Sequence, residues 1–581
     1  MPERGILPQL TQPNHRPSIT MLHLALSLVC LAPQTNSICS VSSTGAPSNQ
    51  TSYYSIVSAD GRYVVFQSDA SNLAATDLNG VQDIFRRDLA TGTTELVSRR
   101  PNGNAGNGIA VQPDVSGDGR FVVWSSNASN LVTGDTNGTW DVFLRDMQLG
   151  VTTLISRDSL GNLANQRSDS PRITPDARYV VFESDAALVP SDTNGQKDVY
   201  RLERSTGNLT LVSVTAAGVQ GNNWSYHAAI SADGSYVVFT STADNLVAGD
   251  TNNQPDVFLK ELPAGLLTRV NVSTAGAQAN NETTWPSISG DGSTITFCSA
   301  ASNLVAGDTS GNWDCFAHTV ATGATTRLNV QPNGLQANSY VRSPTALSHD
   351  GSLVVFASLS TNLVAGDTNG KQDIFLRDRA VGVTTRLSLD LAGGEVDGDC
   401  FVPHMTPDGS VLTYTSDATD IVASDPNGRR DIFAVTFRGP IGTLHCSTAS
   451  APNSTGAAGA LSAFGRSSVA ANDVTLRASN LPQSVFGFFL TSTNGTPPPA
   501  PTGPLLCIGG PIGRYVGPNQ IRFSGTSGSF ELGLDLTQTP TPTGFVSVQV
   551  GETRYYQCWH RDAINGQATS RFTDALVITF Q

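Results

Sequence analysis

The chain reads as an all-β protein: a seven-bladed β-propeller closed by an N-terminal strand, followed by a C-terminal β-sandwich domain. One pattern, Ser-x-Asp-Gly-x-x-Val-Val-Phe, recurs seven times with its Asp at Asp60, Asp118, Asp176, Asp233, Asp291, Asp350 and Asp408, in steps of 57 to 59 residues. A second, Asp-x-Asn-Gly-x-x-Asp-(Val/Ile)-Phe, follows each copy 16 or 17 residues later and opens at Asp77, Asp135, Asp192, Asp250, Asp308, Asp367 and Asp425. Short apolar runs bounded by turn signals fill each repeat, and repeats of about 40 to 60 residues built this way read as propeller blades.

In the second copy, Phe121-Val122-Val123-Trp124 is an apolar run suited to a strand covered on both faces. Val142-Phe143-Leu144 and Val151 to Ser156 continue the unit, and Val115 has its next equivalent in Ile173, which makes four strands per repeat. Aromatic residues recur at the end of the second strand (Phe66, Trp124, Phe182, Phe239, Phe297, Phe356, Tyr414) and in the third (Phe85, Phe143, Tyr200, Phe258, Phe316, Phe375, Phe433). Two rings of aromatics stacked between neighbouring blades are expected to supply most of the core, each side chain burying about 150–250 Å².

The seventh copy lacks a fourth strand, because its third runs straight into Arg438-Gly439-Pro440. Ile38 to Gly45 has the pattern of a fourth strand and its linker, so the N-terminus is expected to complete blade seven and remove the open sheet edge. The ring then spans residues 37–437.

Met21 to Ala32 is an apolar run of secretory length, with Arg4 and Arg16 upstream and small polar residues after it. Residues 1–36 are therefore read as a signal peptide, Met21 being an alternative start, and the mature chain is expected to be exported: extracellular, cell-surface or periplasmic. Cys30 lacks the small preceding residue of a lipoprotein signal. No apolar run reaches the roughly 20 residues of a membrane-spanning helix. The net charge of −14 argues against nucleic acid as a partner and favours cations.

The chain has eight cysteines. Cys298 and Cys315, on the second and third strands of blade five, form either a disulfide or two buried thiols. Cys507 with Cys558, and Cys446 with Cys39, are further pairs compatible with an oxidising compartment.

The Asp-x-Asn-Gly-x-x-Asp loops are the best candidates for chemistry. A tight Gly turn points three side-chain oxygens and a carbonyl inward, the oxygen-only set that Ca²⁺ prefers. The candidate ligands are Asp77, Asn79 and Asp83; Asp135, Asn137 and Asp141; Asp192, Asn194 and Asp198; Asp250, Asn252 and Asp256; Asp308 and Asp314; Asp367, Asn369 and Asp373; and Asp425, Asn427 and Asp431. The alternative is a set of Asx turns kept for folding alone. The Asp-Gly pairs of the first pattern are read as turns between strands.

No Gly-x-Ser-x-Gly nucleophile elbow is present, the Gly525 to Ser529 stretch failing to match it. The eight His are scattered without metal-ligand spacing, and His349 replaces a small residue in its turn. Trp140, Trp224, Trp285 and Trp313 fall in linkers or loops, where they either line a carbohydrate or peptide surface or pack between blades. No repeat-breaking polar cluster is evident, which favours a non-enzymatic protein.

Ser58-Ala59-Asp60-Gly61-Arg62-Tyr63-Val64-Val65-Phe66, Thr406-Pro407-Asp408-Gly409 and their equivalents resemble the TolB-type, WD-repeat-like propeller motif over about 400 residues. The resemblance implies a periplasmic or secreted scaffold that binds other proteins, although blade number and the long loops between second and third strands depart from it. Those loops are similar to shortened calcium loops of integrin-type propellers.

After a Gly, Ser and Thr-rich linker at 438–458, residues 459–581 carry short strands with turns between them, among them Phe486 to Leu490, Phe530 to Leu534 and Leu576 to Phe580. This spacing predicts a sandwich, with Thr496 to Pro499 a stiff loop, and it resembles β modules at the ends of large secreted bacterial proteins. The expectation for the whole chain is an exported, non-enzymatic scaffold that binds a protein or polysaccharide, with Ca²⁺ as a candidate stabilising ion. The alternatives are a secreted polymer-degrading hydrolase or lyase, or a purely structural cell-surface protein.

Overall fold

The computed structural model describes residues 34–580 other than 310, 342, 438–439, 442, 447–452, 456–458, 465–468, 470–471, 473, 496–505, 525–528 and 565–566. The leader expected at 1–36, with its apolar run and Cys30, lies outside these residues up to residue 33, as do the Thr496 to Pro499 loop and residues 525–528. Every element described is a strand.

Seven four-stranded antiparallel sheets make the propeller. Blade 3 is typical, with strands Ser168–Ile173, Tyr179–Ser184, Asp198–Glu203 and Asn208–Leu211 in spatial order. The Ser-x-Asp-Gly segment is the hairpin between first and second strands. In blade 1, Ser58 Oγ donates to Asp60 Oδ1 (2.5 Å), the same oxygen accepts from the Arg62 amide (3.0 Å), and Gly61 takes φ 69°. In blade 2 a Cβ on Gly119 would lie 2.0 Å from Tyr63 of the preceding blade, so glycine is required for close approach as well as for its positive φ.

Each blade stacks its two aromatics across its second and third strands. Phe66 faces Phe85 at 5.8 Å, Trp124 faces Phe143 at 5.8 Å, and Tyr414 faces Phe433 at 6.0 Å. The expectation of rings stacked between blades is corrected here. The pairs are opposite one another in strand register, and what they meet in the preceding blade is aliphatic, as Trp124 and Phe143 meet Ile56, Val65 and Ile84.

Blade 7 combines Cys400–Met405, Val411–Ser416 and Asp431–Phe437 with the N-terminal strand Gln34–Ile38, paired from Gln34 opposite Phe437 to Ile38 opposite Phe433. The Cys39 amide then donates to Ile432 O (2.7 Å), and Ser40 Oγ donates to Asp431. Ser98 makes the equivalent bond to Asp83 in blade 1 (2.5 Å), so the N-terminus reproduces a fourth strand and its exit. The strand starts at Gln34, ahead of the boundary expected at 37. A cut near Ser37 would remove three of its five residues.

The C-terminal unit is built on two main sheets sharing one core, with two further two-stranded pairs, Asn494–Gly495 with Ile508–Gly509 and Thr539–Thr541 with Gly544–Val546. Pro440–Ile441, Ala460–Phe464, Thr475–Ser479 and Phe530–Gly533 form one. Thr443–Cys446, Gln567–Thr579, Thr553–Ile564, Phe486–Ser492 and Gly513–Arg514 form the other, with Arg522–Phe523 also paired to Phe486–Ser492. Leu461 and Leu476 of the first pack with Phe489, Tyr556 and Ile578 of the second. Pro440–Ile441 and Thr443–Cys446, expected in the linker, belong to these sheets; runs of two and four residues are too short to show a period.

Cys298 and Cys315 are opposite in register, with sulfurs 3.1 Å apart as free thiols. Cys39 and Cys558 are also free and buried, so of the pairs left open neither Cys39–Cys446 nor Cys507–Cys558 is formed, while Cys507 is disulfide-bonded.

Candidate functional site in the central channel

The first strands of all seven blades line a cavity of about 440 Å³. Six of them share a bulge, where pairing to the second strand slips: between Asp169 and Arg172 in blade 3, and between Tyr226 and Ala229 in blade 4. At each slip the backbone is left-handed, at Tyr54 (φ 35°), Gln112 (55°), Ser170 (54°), His227 (53°), Trp285 (51°) and Val402 (43°). Blade 6 has Pro344 in this slot, whose ring holds φ near −65°, and its first strand shrinks to Ala346–Leu347. A non-glycine residue held this way costs on the order of 1–3 kcal/mol, and such strain concentrates at functional sites.

The side chains at this level break the repeat. Two positions after the bulge stand Ile56, Asp114, Arg172, Ala229, Ser287, Ala346 and His404, a column that is otherwise small or apolar. Asp114 Oδ1 accepts from the Val115 amide (2.8 Å), and Oδ2 accepts from the Ile173 amide of the next blade (2.9 Å). Burial raises its pKa, opposed by the charge of Arg172. Arg172 donates to Pro171 O (2.9 Å) and lies 5.8 Å from the centre of the Tyr54 ring. Burial pushes His404 down to about 4, with the Arg172 charge acting in the same direction, and its Nδ1 accepts from the Val57 amide (3.4 Å).

Toward the Asp-loop end the cluster continues through blades 3 to 5. Glu183, 3% exposed, accepts from the bulged His227 amide (2.6 Å) and lies 3.6 Å from Lys197 Nζ. Lys197 also pairs with Asp169 (3.0 Å), which Arg167 contacts as well. Burial lifts Glu183 to about 7, Asp169 adding to the effect and Lys197 opposing it. His227 is pushed down to about 4, chiefly by burial, and its Nδ1 meets Thr284 Oγ1 at 2.9 Å. Its ring lies 4.8 Å from Tyr226 and 6.0 Å from Trp285, which is 6.0 Å from Trp313. Partly buried aromatic faces thus stand beside a carboxylate, an ammonium and a neutral imidazole. This arrangement can stack on a polar ring and bond its hydroxyl groups. At the other end, neighbouring hairpin turns bond through their backbones, Gly117 N to Pro175 O (2.8 Å) and His349 N to Pro407 O (2.7 Å), with His349 lining the cavity.

The expectation that no symmetry-breaking cluster exists is therefore overturned. Asp114, Arg172, Glu183, Lys197 and His227 lie far apart in sequence, and the ring brings them together. Comparing the seven copies column by column exposes them, since Asp114 and Arg172 fill the same slot of successive repeats. Trp285 sits in the bulge itself rather than in a linker.

The Asp loops lead into the third strands, the last Asp of each loop being the strand's first residue. Asn79 Nδ2 donates to Asp83 Oδ2 (2.6 Å) and Gly106 O (3.0 Å), while its Oδ1 accepts from the Val81 amide (3.0 Å). Asn137, Asn194, Asn252 and Asn427 repeat all three bonds; Asn369 bonds Val396 O and accepts from the Lys371 amide. The donor partners are obligate acceptors, so the amide orientation is forced, and each Asn forms an Asx turn that clamps the linker. The side-chain oxygens of these Asn residues each accept a backbone amide, as the Asx-turn alternative expects, and each loop also carries two carboxylates. Among the described residues no group of three or more His, Cys, Asp or Glu is placed to hold a metal ion.

No protein-family model matches the chain, and no curated protein does. Among solved structures it is similar to an oligogalacturonate lyase from Vibrio parahaemolyticus, at 14% identity and TM-score 0.41, covering 70% of this chain and 96% of that one. An oligogalacturonate lyase in complex with manganese matches at 15% identity and TM-score 0.40, covering 70% and 98%. A putative TolB from Agrobacterium tumefaciens matches at 16% identity and TM-score 0.30, covering 48% and 80%. These are likenesses of propeller fold, and no chemistry passes to this chain through them.

Proposed function

We propose that the protein is an exported binding propeller that holds a polysaccharide at the charged end of its channel. The observation that supports this reading is a break in the repeat: Asp114, Arg172 and His404 line the cavity, and Glu183 and the bulged His227, both within reach of the Arg172 charge, carry the polar cluster on toward blades 4 and 5. Tyr226, His227, Trp285 and Trp313 offer faces for a sugar ring, and Glu183, Lys197 and Asp169 offer hydrogen bonds at its edge. The test is binding to an immobilised glycan panel. Trp285→Ala and Glu183→Gln should each lose tenfold or more in affinity, with Leu149→Ala, an exposed control, unchanged. Unaltered binding by both site variants would overturn the reading.

A second reading, a hydrolase or lyase acting on such a polymer, is favoured by one feature. Glu183, raised to about 7, is bonded to the backbone of His227, a residue held neutral beside it. Product released from a bound polymer, and lost in Glu183→Gln, distinguishes the two.

A further inference from the structure

The seven Asp loops pose one electrostatic problem and solve it differently. In each, the first Asp of the loop and the first residue of the third strand bring two carboxylates together, and the last residue of the fourth strand lies alongside. In blade 4 that residue is Arg269, whose Nη1 meets Asp250 Oδ1 at 3.3 Å and Asp256 Oδ2 at 3.2 Å. In blade 5 it is Arg327, 3.3 Å from Asp308 Oδ1 and 3.1 Å from Asp314 Oδ2. In blade 6 Arg386 stands 4.0 Å from both Asp367 and Asp373. These three arginines occupy one register position, opposite Phe258, Phe316 and Phe375.

The other four blades put an aliphatic residue there: Leu96, Leu154, Leu211 and Ile38, opposite Phe85, Phe143, Tyr200 and Phe433. Blade 3 substitutes neutral donors, since the Tyr200 hydroxyl and Gln220 Nε2 (2.9 Å) take the two oxygens of Asp192. In blade 2 burial raises both Asp135 and Asp141, and the charge of Arg157 opposes that rise. Among the described residues no ion pair reaches Asp77 or Asp83, not even from Arg99, the blade 1 equivalent of Arg157, and in blade 7 that position is Val41. Asp77 is 2% exposed, and its Oδ1, the counterpart of the oxygen that meets arginine in blades 4 and 5, is buried without a partner. Both oxygens of Asp425 are likewise buried without a partner. A buried, uncompensated carboxylate beside a second one is costly enough that a positive charge is expected between them.

We infer that blades 1 and 7 each bind one hard divalent cation, Ca²⁺, through Asp77 with Asp83 and through Asp425 with Asp431, the ion standing where arginine stands in blades 4 to 6. Two carboxylates, with water completing the oxygen shell, place the affinity in the range of about 10⁻⁴–10⁻³ M typical of weak extracellular sites. The inference is independent of what the channel holds.

The experiment is calorimetric Ca²⁺ titration of the full protein with metal analysis of the saturated sample, repeated on Leu96→Arg and on Asp425→Asn. The expected stoichiometry is two for the parent and one for each variant, with Leu96→Arg insensitive to chelator at blade 1 because its guanidinium replaces the ion. Zero bound Ca²⁺ would overturn the inference, leaving the pairs to share a proton. Seven would overturn the role given to arginine. A stoichiometry of two that Leu96→Arg leaves unchanged would place the ions elsewhere.

Discussion

Replacing Arg269 with leucine would give blade 4 the fourth-strand residue that blades 1 to 3 already have, but without their accommodations. Arg269 has 12% of its side chain exposed, and Asp250 and Asp256 have 3% and 0%. At an effective dielectric near 20, each N–O contact of about 3.3 Å is worth roughly 5 kcal/mol of attraction, most of which offsets the desolvation of the three groups. Removing one member of such a buried set costs about 3–5 kcal/mol, because the remaining charges stay buried. Asp250 already sits at about 6 through burial, with Asp256 adding to the rise and Arg269 opposing it, so loss of the arginine pushes it further up. Urea denaturation at neutral pH in chelator should show the full loss, and added Ca²⁺ should restore part of it by occupying the vacated position. A loss below about 1 kcal/mol, the value of an exposed pair, would refute the reasoning that these pairs need a buried counter-charge.

Other outcomes follow from the same geometry. Trp124→Ala removes a fully buried ring stacked on Phe143 and should cost about 3–5 kcal/mol by denaturant titration. His227 and His404, held near 4 by burial, are neutral in the folded chain and titrate near 6.5 when unfolded. The unfolded state therefore binds more protons between these values, so their contribution is intact above pH 6.5 and is lost as pH falls toward 4, by on the order of 2–3 kcal/mol each. Glu183, raised to about 7, acts oppositely, its contribution being lost as pH rises from 4.5 to 7. Melts of His227→Gln/His404→Gln against pH should be flatter below 6.5 than those of the parent. Among the described residues five free thiols, Cys39, Cys298, Cys315, Cys400 and Cys558, are all buried, and burial raises Cys39 to about 12. At these five positions a thiol reagent should therefore be silent on the native chain and react after unfolding.

The blades were legible in the sequence because a repeat writes the same hairpin and aromatic pair seven times, and local turn chemistry at Asp60 or Asp118 needs no tertiary context. Closure was legible through a deficit: blade 7 lacks a strand, and Ser40 repeats the task of Ser98. The channel site was not, because periodicity draws attention to what the copies share, whereas Asp114, Arg172 and His404 matter for what they do not share. The Asp loops were found, but spacing alone cannot tell that the Asn79 oxygen accepts from the Val81 amide, or that Arg269 and Leu96 occupy one position in two different blades.

The most direct test of the account is amide hydrogen exchange of the full protein with and without a polysaccharide that it binds. If function resides where repeat symmetry breaks, new protection should concentrate in Ser168–Ile173, Ser225–Ile230 and Thr283–Ile288, the channel strands of blades 3 to 5. Protection confined to the outer strands or to the C-terminal sandwich would contradict it.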